Sequence, residues 1–369
     1  MNKIFSFFFL LVLAIAGCNG VDRQESSERD TLQVPGADRR LEFQGRVETL
    51  SDGTMRLFWP GTSVTLRFRG EEVAVLLDDE EGENDYNVIV DGDEPRLLRM
   101  DSVERWYRLA EELPAGEHRI TLFKRSEWTR GHTDLLAFRI VGEKPQVLLP
   151  PSSSGRKIEF YGNSITAGYA IHDTVGDAPD STLTDNYPTY AALTARHFDA
   201  EYSCIARSGI GFMISWFPMI MPEMYDRLDP SDPSSKWDFS RWQPDVVVIN
   251  LGQNDSWLVQ RPEHPEFRHR FGETPPTEGE IVEAYKNFVK KIRSVYPEAI
   301  LICALGSMDA TREGSPWPGY VREAVREMND PDILTLFFPY IGKGGHPKVE
   351  DHRVMADTLI RFIDEHVKW

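Results

Sequence analysis

The sequence predicts two domains of different class: an N-terminal antiparallel β-sandwich of jelly-roll type over residues 40–148, and a three-layer α/β domain with a parallel sheet over residues 156–369. Three observations carry this. Apolar residues alternate with period two between Leu41 and Val141; apolar runs alternate with amphipathic helical stretches beyond residue 156; and a Pro- and Ser-rich segment, 145–157, separates the two rhythms. A length of 369 residues suits two domains at ~150 residues each. An aromatic content of 11% excludes a disordered chain. With 41 Lys and Arg against 59 Asp and Glu, the net charge of −18 argues against a nucleic-acid partner, which needs a basic face.

Residues 1–17 read as a leader, with Lys3 followed by an uncharged apolar run from Ile4 to Ile15 that is short for a bilayer span. The run ends in Leu13-Ala14-Ile15-Ala16-Gly17-Cys18, which resembles the lipobox of bacterial lipoproteins. That resemblance implies cleavage before Cys18, acylation of Cys18, and anchoring to a membrane of the cell envelope; several acyl chains suffice where one is marginal. Residues 18–39 are polar and aperiodic, and are expected to form a flexible tether.

In the sandwich region Val64, Leu66 and Phe68 alternate with Thr65, Arg67 and Arg69, and the pattern repeats at Val73, Val75 and Leu77, at Tyr86, Val88 and Val90, and at Ile120 and Leu122. Pro60-Gly61, Asp91-Gly92 and Pro114-Ala115-Gly116 supply the turns. The acidic stretch 77–85 reads as a solvated loop. In the second domain, strand-like runs at 158–161, 201–206, 245–251, 299–305 and 333–338 alternate with helical stretches near 187–198, 279–296, 317–329 and 349–367. Such alternation implies helices on both faces of a parallel sheet, with ligand chemistry at the carboxyl ends of its strands. Cys204 and Cys303 lie within these apolar runs and read as buried thiols, with a disulfide between them left open.

Each strand of the second domain ends in small and polar residues. Gly162-Asn163-Ser164 follows the first strand; Gly162 and Gly168 are spaced wrongly for a phosphate loop, and Thr166 breaks the GxSxG elbow. Arg207-Ser208-Gly209-Ile210-Gly211 follows the second, Gly252-Gln253-Asn254-Asp255 the third, and Gly344-Gly345-His346-Pro347 precedes the final helix. These four blocks, in this order, resemble the SGNH (GDSL-type) hydrolase family. A sandwich ahead of them, together with the run Asn186-Tyr187-Pro188-Thr189-Tyr190 through Arg196, is similar to carbohydrate esterase family 2, acetyl esterases acting on polysaccharides.

The resemblance implies Ser164 as nucleophile, His346 as general base, and an oxyanion hole formed by Ser164, the Gly209 N–H and the Asn254 amide. It implies an acetylated polysaccharide or oligosaccharide as substrate, and no cofactor or metal. Chemistry agrees with these roles, because a serine hydroxyl needs a base within hydrogen-bond reach and the tetrahedral intermediate needs donors for its oxyanion. Two positions depart from the family pattern. Asn163 stands where Asp is commonest, and Lys343 stands where the acid of a triad is usual, three residues before His346. A Ser164–His346 dyad oriented by main-chain carbonyls of Gly342 to Gly345 is therefore expected, with Asp351 as the displaced alternative.

Among the aromatic residues near these blocks, all of which could stack on sugar rings, Trp257 is the candidate for the substrate cleft, whereas Trp216 and Trp317 suit core packing at least as well. His264 and His269 sit among prolines, in what reads as an excursion loop over the site rather than a metal face. Two rival functions follow from the same residues: a catalytically retired cell-surface carbohydrate-binding protein, favoured if His346 lacks an orienting partner, and a lipid or thioester acylhydrolase.

Overall fold

The computed structural model describes residues 29–150, 154–178, 180–342 and 344–369, so the leader and Cys18 lie outside the described residues. The N-terminal domain comprises twelve strands: β1 (Asp30–Pro35), β2 (Glu42–Gln44), β3 (Val47–Thr49), β4 (Met55–Leu57), β5 (Ser63–Arg69), β6 (Glu72–Asp79), β7 (Asp85–Val90), β8 (Arg96–Arg99), β9 (Arg105–Ala110), β10 (Glu117–Lys124), β11 (Thr133–Gly142) and β12 (Gln146–Val147). One sheet runs β3-β4-β11-β6-β9 with β1 also on β11; the other runs β12-β5-β10-β7-β8 with β2 also on β5. Val64, Leu66, Phe68, Val75, Leu77, Val88, Ile120 and Leu122 fill the space between the sheets, as the period-two pattern requires.

Two expectations are corrected here. Residues 30–35 are not tether: β1 pairs antiparallel with β11 over Asp30–Gly142 to Pro35–Ala137, and Val34 is buried in the sandwich. The alternation was invisible because only Leu32 and Val34 of that strand point inward, flanked by polar residues and Pro35. Nor is the acidic stretch 77–85 wholly solvated. Asp79 is buried, accepting from Asn84 Nδ2 at 2.9 Å and from Thr133 Oγ1 at 2.5 Å, and Asp85 is buried as well.

In the second domain β13 (Lys157–Gly162), β14 (Glu201–Ala206), β15 (Val246–Asn250), β16 (Ile300–Leu305) and β17 (Ile333–Phe337) form a parallel sheet in the order β14-β13-β15-β16-β17. Its helices are α1 (Ser164–Ala167), α2 (Tyr190–His197), α3 (Met221–Met224), α4 (Gln253–Leu258), α5 (Pro265–Phe271), α6 (Glu278–Val295), α7 (Trp317–Met328) and α8 (Val349–His366). α6 buries Ile281, Tyr285, Phe288, Val289 and Ile292 along one stripe, against one face of the sheet; α2 and α8 pack on the other. Cys204 on β14 and Cys303 on β16 are both buried free thiols. Two strands intervene, a separation of roughly 14 Å at ~4.8 Å per strand, well beyond disulfide reach. Burial pushes both thiols up to about 12, so neither is a nucleophile at neutral pH.

Part of the polar outer face of β5 and β10 meets the α/β domain, while Arg67, Arg69 and Glu117 stay in water. Thr65 and Thr121 share a hydrogen bond of 2.8 Å there, Gln44 accepts the Tyr202 N–H at 3.3 Å, and the Phe123 ring lies edge-on to Tyr187 at 5.1 Å. Deeper in the junction, Arg46 from the segment before β3 enters the second domain. Its guanidinium donates to the Tyr225 and Arg227 carbonyls at 2.7 and 2.9 Å, to Glu159 at 3.1 Å and to the Tyr161 hydroxyl at 2.9 Å, and both Arg46 and Glu159 are fully buried. Glu159 completes its shell with Ser203 and Tyr296 at 2.8 and 2.7 Å. Burial opposes the Arg46 charge, yet Glu159 and the Tyr161 and Tyr296 hydroxyls more than offset it, so the guanidinium stays charged.

Candidate active site

β13 delivers Ser164, the candidate nucleophile, to the carboxyl edge of the sheet. Gly162 is required at its end because a Cβ there would come within 2.0 Å of Thr166 Oγ1. Asn163 then caps α1, its Oδ1 accepting the Ile165 N–H at 3.0 Å, and Ser164 stands at the first helical position with its backbone N–H in the first turn. Replacing the commonest Asp by Asn keeps that cap. Ser164 Oγ lies 2.8 Å from His346 Nε2. The imidazole is flanked by the Tyr169 ring, with centroids 4.9 Å apart.

The partner of His346 differs from both expectations. His346 Nδ1 lies 2.8 Å from Asp177 Oδ2, and the His346 backbone N–H also donates to the Asp177 carboxylate, at 3.0 and 3.1 Å. Position 343 lies outside the described residues, but Nδ1 is already taken by a carboxylate, so no main-chain carbonyl of that loop is needed to orient the ring. Asp351 is occupied elsewhere: it accepts the Lys348 N–H at 2.8 Å and caps α8. Sequence reasoning missed Asp177 because it lies 169 residues from His346, in a loop whose composition, Asp173 to Asp180, resembles any polar surface turn.

That loop is built for its task. Asp173 accepts three backbone N–H groups, from Val175 at 2.8 Å, Gly176 at 3.0 Å and Ala178 at 2.7 Å, which hold its carboxyl down at about 2. Lys348 reaches back from the start of α8 and donates to the Ala170 and Gly176 carbonyls at 2.9 and 2.8 Å and to Asp177 Oδ1 at 3.1 Å. Burial works against the Asp177 carboxylate, but the hydrogen bonds from His346 and Lys348 outweigh it and keep it below the ordinary range. His346 shows the opposite balance: burial lowers its pKa more than Asp177 raises it, leaving a neutral imidazole ready to take a proton.

The other oxyanion candidates lie after β14 and in α4. Gly209 has φ +81°, a left-handed conformation, and a Cβ there would press against Phe217 and Trp216 at 3.2 and 3.3 Å. Its carbonyl accepts the Trp216 N–H at 3.1 Å. Asn254 is buried; one amide hydrogen goes to the Ile210 carbonyl at 2.8 Å, and its Oδ1 accepts from Trp216 Nε1 at 3.0 Å, which fixes the amide and leaves the second hydrogen for a ligand. Asp255 beneath it accepts the Phe212, Met213 and Ile214 N–H groups at 3.2, 2.8 and 3.1 Å; burial pushes its carboxyl up to about 6 against their pull. It thus shapes the loop that follows Gly209.

The aromatic assignment is partly reversed. Trp216, for which core packing was at least as well suited as sugar stacking, is 39% exposed and borders both oxyanion candidates, with Arg261 5.1 Å from its ring and His264 edge-on at 5.3 Å. The prolines at 262 and 265 do mark a segment packed beside the site, and His264 caps α5. Trp257 is half-buried; its Nε1 donates to Asp309 at 2.9 and 3.0 Å, and its ring lines a cavity of about 480 Å³ with Arg261 and Arg312. Trp317 is buried, as expected. Among the described residues no cluster of His, Cys, Asp and Glu could hold a metal ion.

Comparison with known proteins agrees with this layout. Residues 43–151 match a family model described as carbohydrate esterase 2 N-terminal, and residues 160–331 match the GDSL-like lipase/acylhydrolase family. The cellulase/esterase CelE of Acetivibrio thermocellus is 31% identical over 350 residues, 91% of this chain but 41% of that longer protein. An acetylxylan esterase/glucomannan deacetylase of Cellvibrio japonicus is 23% identical over 363 residues, 96% of each chain. Among solved structures, a family two carbohydrate esterase from Clostridium thermocellum in complex with cellohexaose superposes with a TM-score of 0.77 at 31% identity, covering 88% of this chain and 98% of that one. A family two esterase from Cellvibrio japonicus, at 22% identity, shares the fold with a TM-score of 0.81 over 91% of this chain and 98% of that one.

Proposed function

This chain belongs to the family 2 carbohydrate esterases, and from that premise we propose that it removes O-acetyl groups from polysaccharide or oligosaccharide hydroxyls through a Ser164–His346–Asp177 triad. The observation that carries the reading is the continuous hydrogen-bonded line from Asp177 through His346 to Ser164, 2.8 Å at each step. Ser164 Oγ attacks the acetyl carbonyl carbon while its proton passes to His346 Nε2. Asp177 holds the Nδ1–H and stabilises the imidazolium. The oxyanion of the tetrahedral intermediate receives the N–H groups of Ser164 and Gly209 and the second amide hydrogen of Asn254. His346 then returns its proton to the departing sugar oxygen, leaving acetyl-Ser164. Water, deprotonated by the same imidazole, cleaves that ester and releases acetate.

Exposed Trp216 beside the oxyanion groups supplies an apolar face on which a sugar ring can stack, which supports a carbohydrate rather than a lipid substrate. A retired binding protein is disfavoured because His346 has its orienting carboxylate. Acetate release from acetylated glucomannan or xylan tests the proposal. Ser164→Ala and His346→Ala should each abolish it, and long-chain acyl esters should be poor substrates; preference for long chains would transfer the site to a lipid hydrolase.

We also propose that Cys18 is acylated and holds the enzyme at the cell envelope, on the strength of Lys3, the apolar run to Ile15 and the small residues before Cys18. Expression of Cys18→Ser in a bacterial host should release the protein from membranes or block its processing. Unchanged membrane partition would overturn it.

A further inference from the structure

The oxyanion loop is pinned on both sides, and one of the pins belongs to the sandwich. Glu127 follows β10 and is nearly buried, with its carboxylate aimed at the α/β domain. One oxygen accepts the Ser208 backbone N–H at 2.6 Å and the other accepts the Ser208 hydroxyl. Ser208 immediately precedes Gly209. On the far side, the Gly209 carbonyl is held by the Trp216 N–H. We propose that Glu127 is a positioning residue for catalysis: by taking both donors of Ser208 it fixes that residue's backbone and side chain, and so aims the Gly209 N–H at the reacting carbonyl.

The need for such a clamp follows from Gly209 itself. Glycine at φ +81° has no Cβ to restrict it, so the peptide between Ser208 and Gly209 can turn unless its neighbours are held. Glu127 is itself well supported. Buried Lys124 donates to the carbonyls of Ser126 and Glu127 at 3.1 and 3.5 Å, and to Ser126 Oγ at 3.2 Å, tying the turn that carries Glu127 to the end of β10. Ser126 Oγ accepts the Asp85 N–H at 3.3 Å, which ties the same turn to β7. Glu127 and Ser208 also line one cleft, of about 260 Å³, together with Tyr169, whose ring flanks His346. The sandwich thus reaches the reacting centre through a rigid chain of hydrogen bonds, in a role separate from holding substrate.

This inference rests on the proposed esterase reading, with Gly209 as an oxyanion donor. The test is steady-state hydrolysis of a small acetyl ester by Glu127→Ala and Glu127→Gln in the full chain, alongside the affinity of methylboronic acid, whose boron takes Ser164 Oγ as a fourth ligand and presents an oxyanion-like oxygen. Losing a whole oxyanion donor lowers kcat roughly 100- to 1000-fold, so a misaimed one should lower it about 10- to 100-fold in Glu127→Ala, with KM within about threefold. Boronate affinity should fall in parallel. Glu127→Gln, whose amide keeps one acceptor for the two donors, should fall between wild type and Glu127→Ala even if the alanine variant folds poorly. Ser208→Ala added to Glu127→Ala should cost little more than Glu127→Ala alone. Unchanged kcat in both variants, or a reduced kcat with undiminished boronate affinity, would overturn the inference. If Ser164→Ala kept the activity of wild type, the esterase reading itself would fall instead.

Discussion

His346 is the residue on which the two halves of the reaction turn, and its environment sets the pH dependence. Burial lowers its pKa below the ordinary histidine value, with Asp177 opposing. Activity should therefore rise with pH along an acid limb that lies below that value and be on its plateau at neutrality, which a kcat/KM profile would measure. Trp216 offers a finer test, since its indole N–H orients the Asn254 amide. Trp216→Phe keeps an aromatic face but loses one hydrogen bond, worth about 1 kcal/mol, so kcat on a small ester should fall roughly 3- to 10-fold. At this scale the places of Ser164, Gly209, Asn254 and His346 in the fold were legible in the sequence, because each follows a strand or precedes a helix in a fixed order. Asp177 was not, because nothing local marks a carboxylate whose partners, His346 and Lys348, are 169 and 171 residues away. Trp216 was left undecided because exposure depends on the loop shaped by Asp255, which sequence periodicity does not report.

Between residue and fold stand the elements that carry the triad, chiefly the loop 170–178 and the start of α8. Lys348 bridges them, and Asp173 closes the loop on itself. Asp173→Ala removes three backbone acceptor contacts and should loosen Asp177 without touching it. We expect kcat to drop about tenfold or more with little change in unfolding midpoint, since the loop lies outside all three hydrophobic clusters; hydrogen exchange over 170–178 should speed up. Asp351→Asn is the complementary case. It keeps an acceptor for the Lys348 N–H but removes a negative charge from the first turn of α8, costing about 0.3–1 kcal/mol of stability by denaturant titration, while leaving turnover near wild type. The helices α6 and α8 were readable from their apolar stripes, and the sandwich strands from alternation. β1 escaped because a six-residue strand with Gln33 and Pro35 lacks a repeating apolar signal.

For the molecule as a whole, the two domains fold as partners rather than as beads on a linker. Arg46 of the sandwich supplies the only guanidinium partner shown for buried Glu159, and Phe58 and Trp59 extend the core of the α/β domain across the junction. Removing one member of a buried ion pair typically costs about 3–5 kcal/mol, because the other charge is left uncompensated. Arg46→Met should therefore destabilise the protein by roughly that amount, read as a lowered denaturation midpoint, and unfolding of the wild type should be a single transition rather than two. The sequence announced the boundary between the domains through the Pro- and Ser-rich segment at 145–157. It concealed the junction, because the polar residues Thr65 and Thr121 that face it look like an ordinary solvated face.

Everything in the proposed reaction turns on Asp177, from a loop remote in sequence, completing a Ser164–His346 esterase site. The most direct measurement is kcat for acetate release from an acetylated glucan by Asp177→Asn, as a function of pH. Asparagine keeps the shape but removes the charge that stabilises the imidazolium, so the plateau should fall about 100- to 10,000-fold while the acid limb moves to lower pH. A plateau within about threefold of wild type, with an unmoved limb, would mean that His346 works without Asp177 and that the catalytic unit is a dyad.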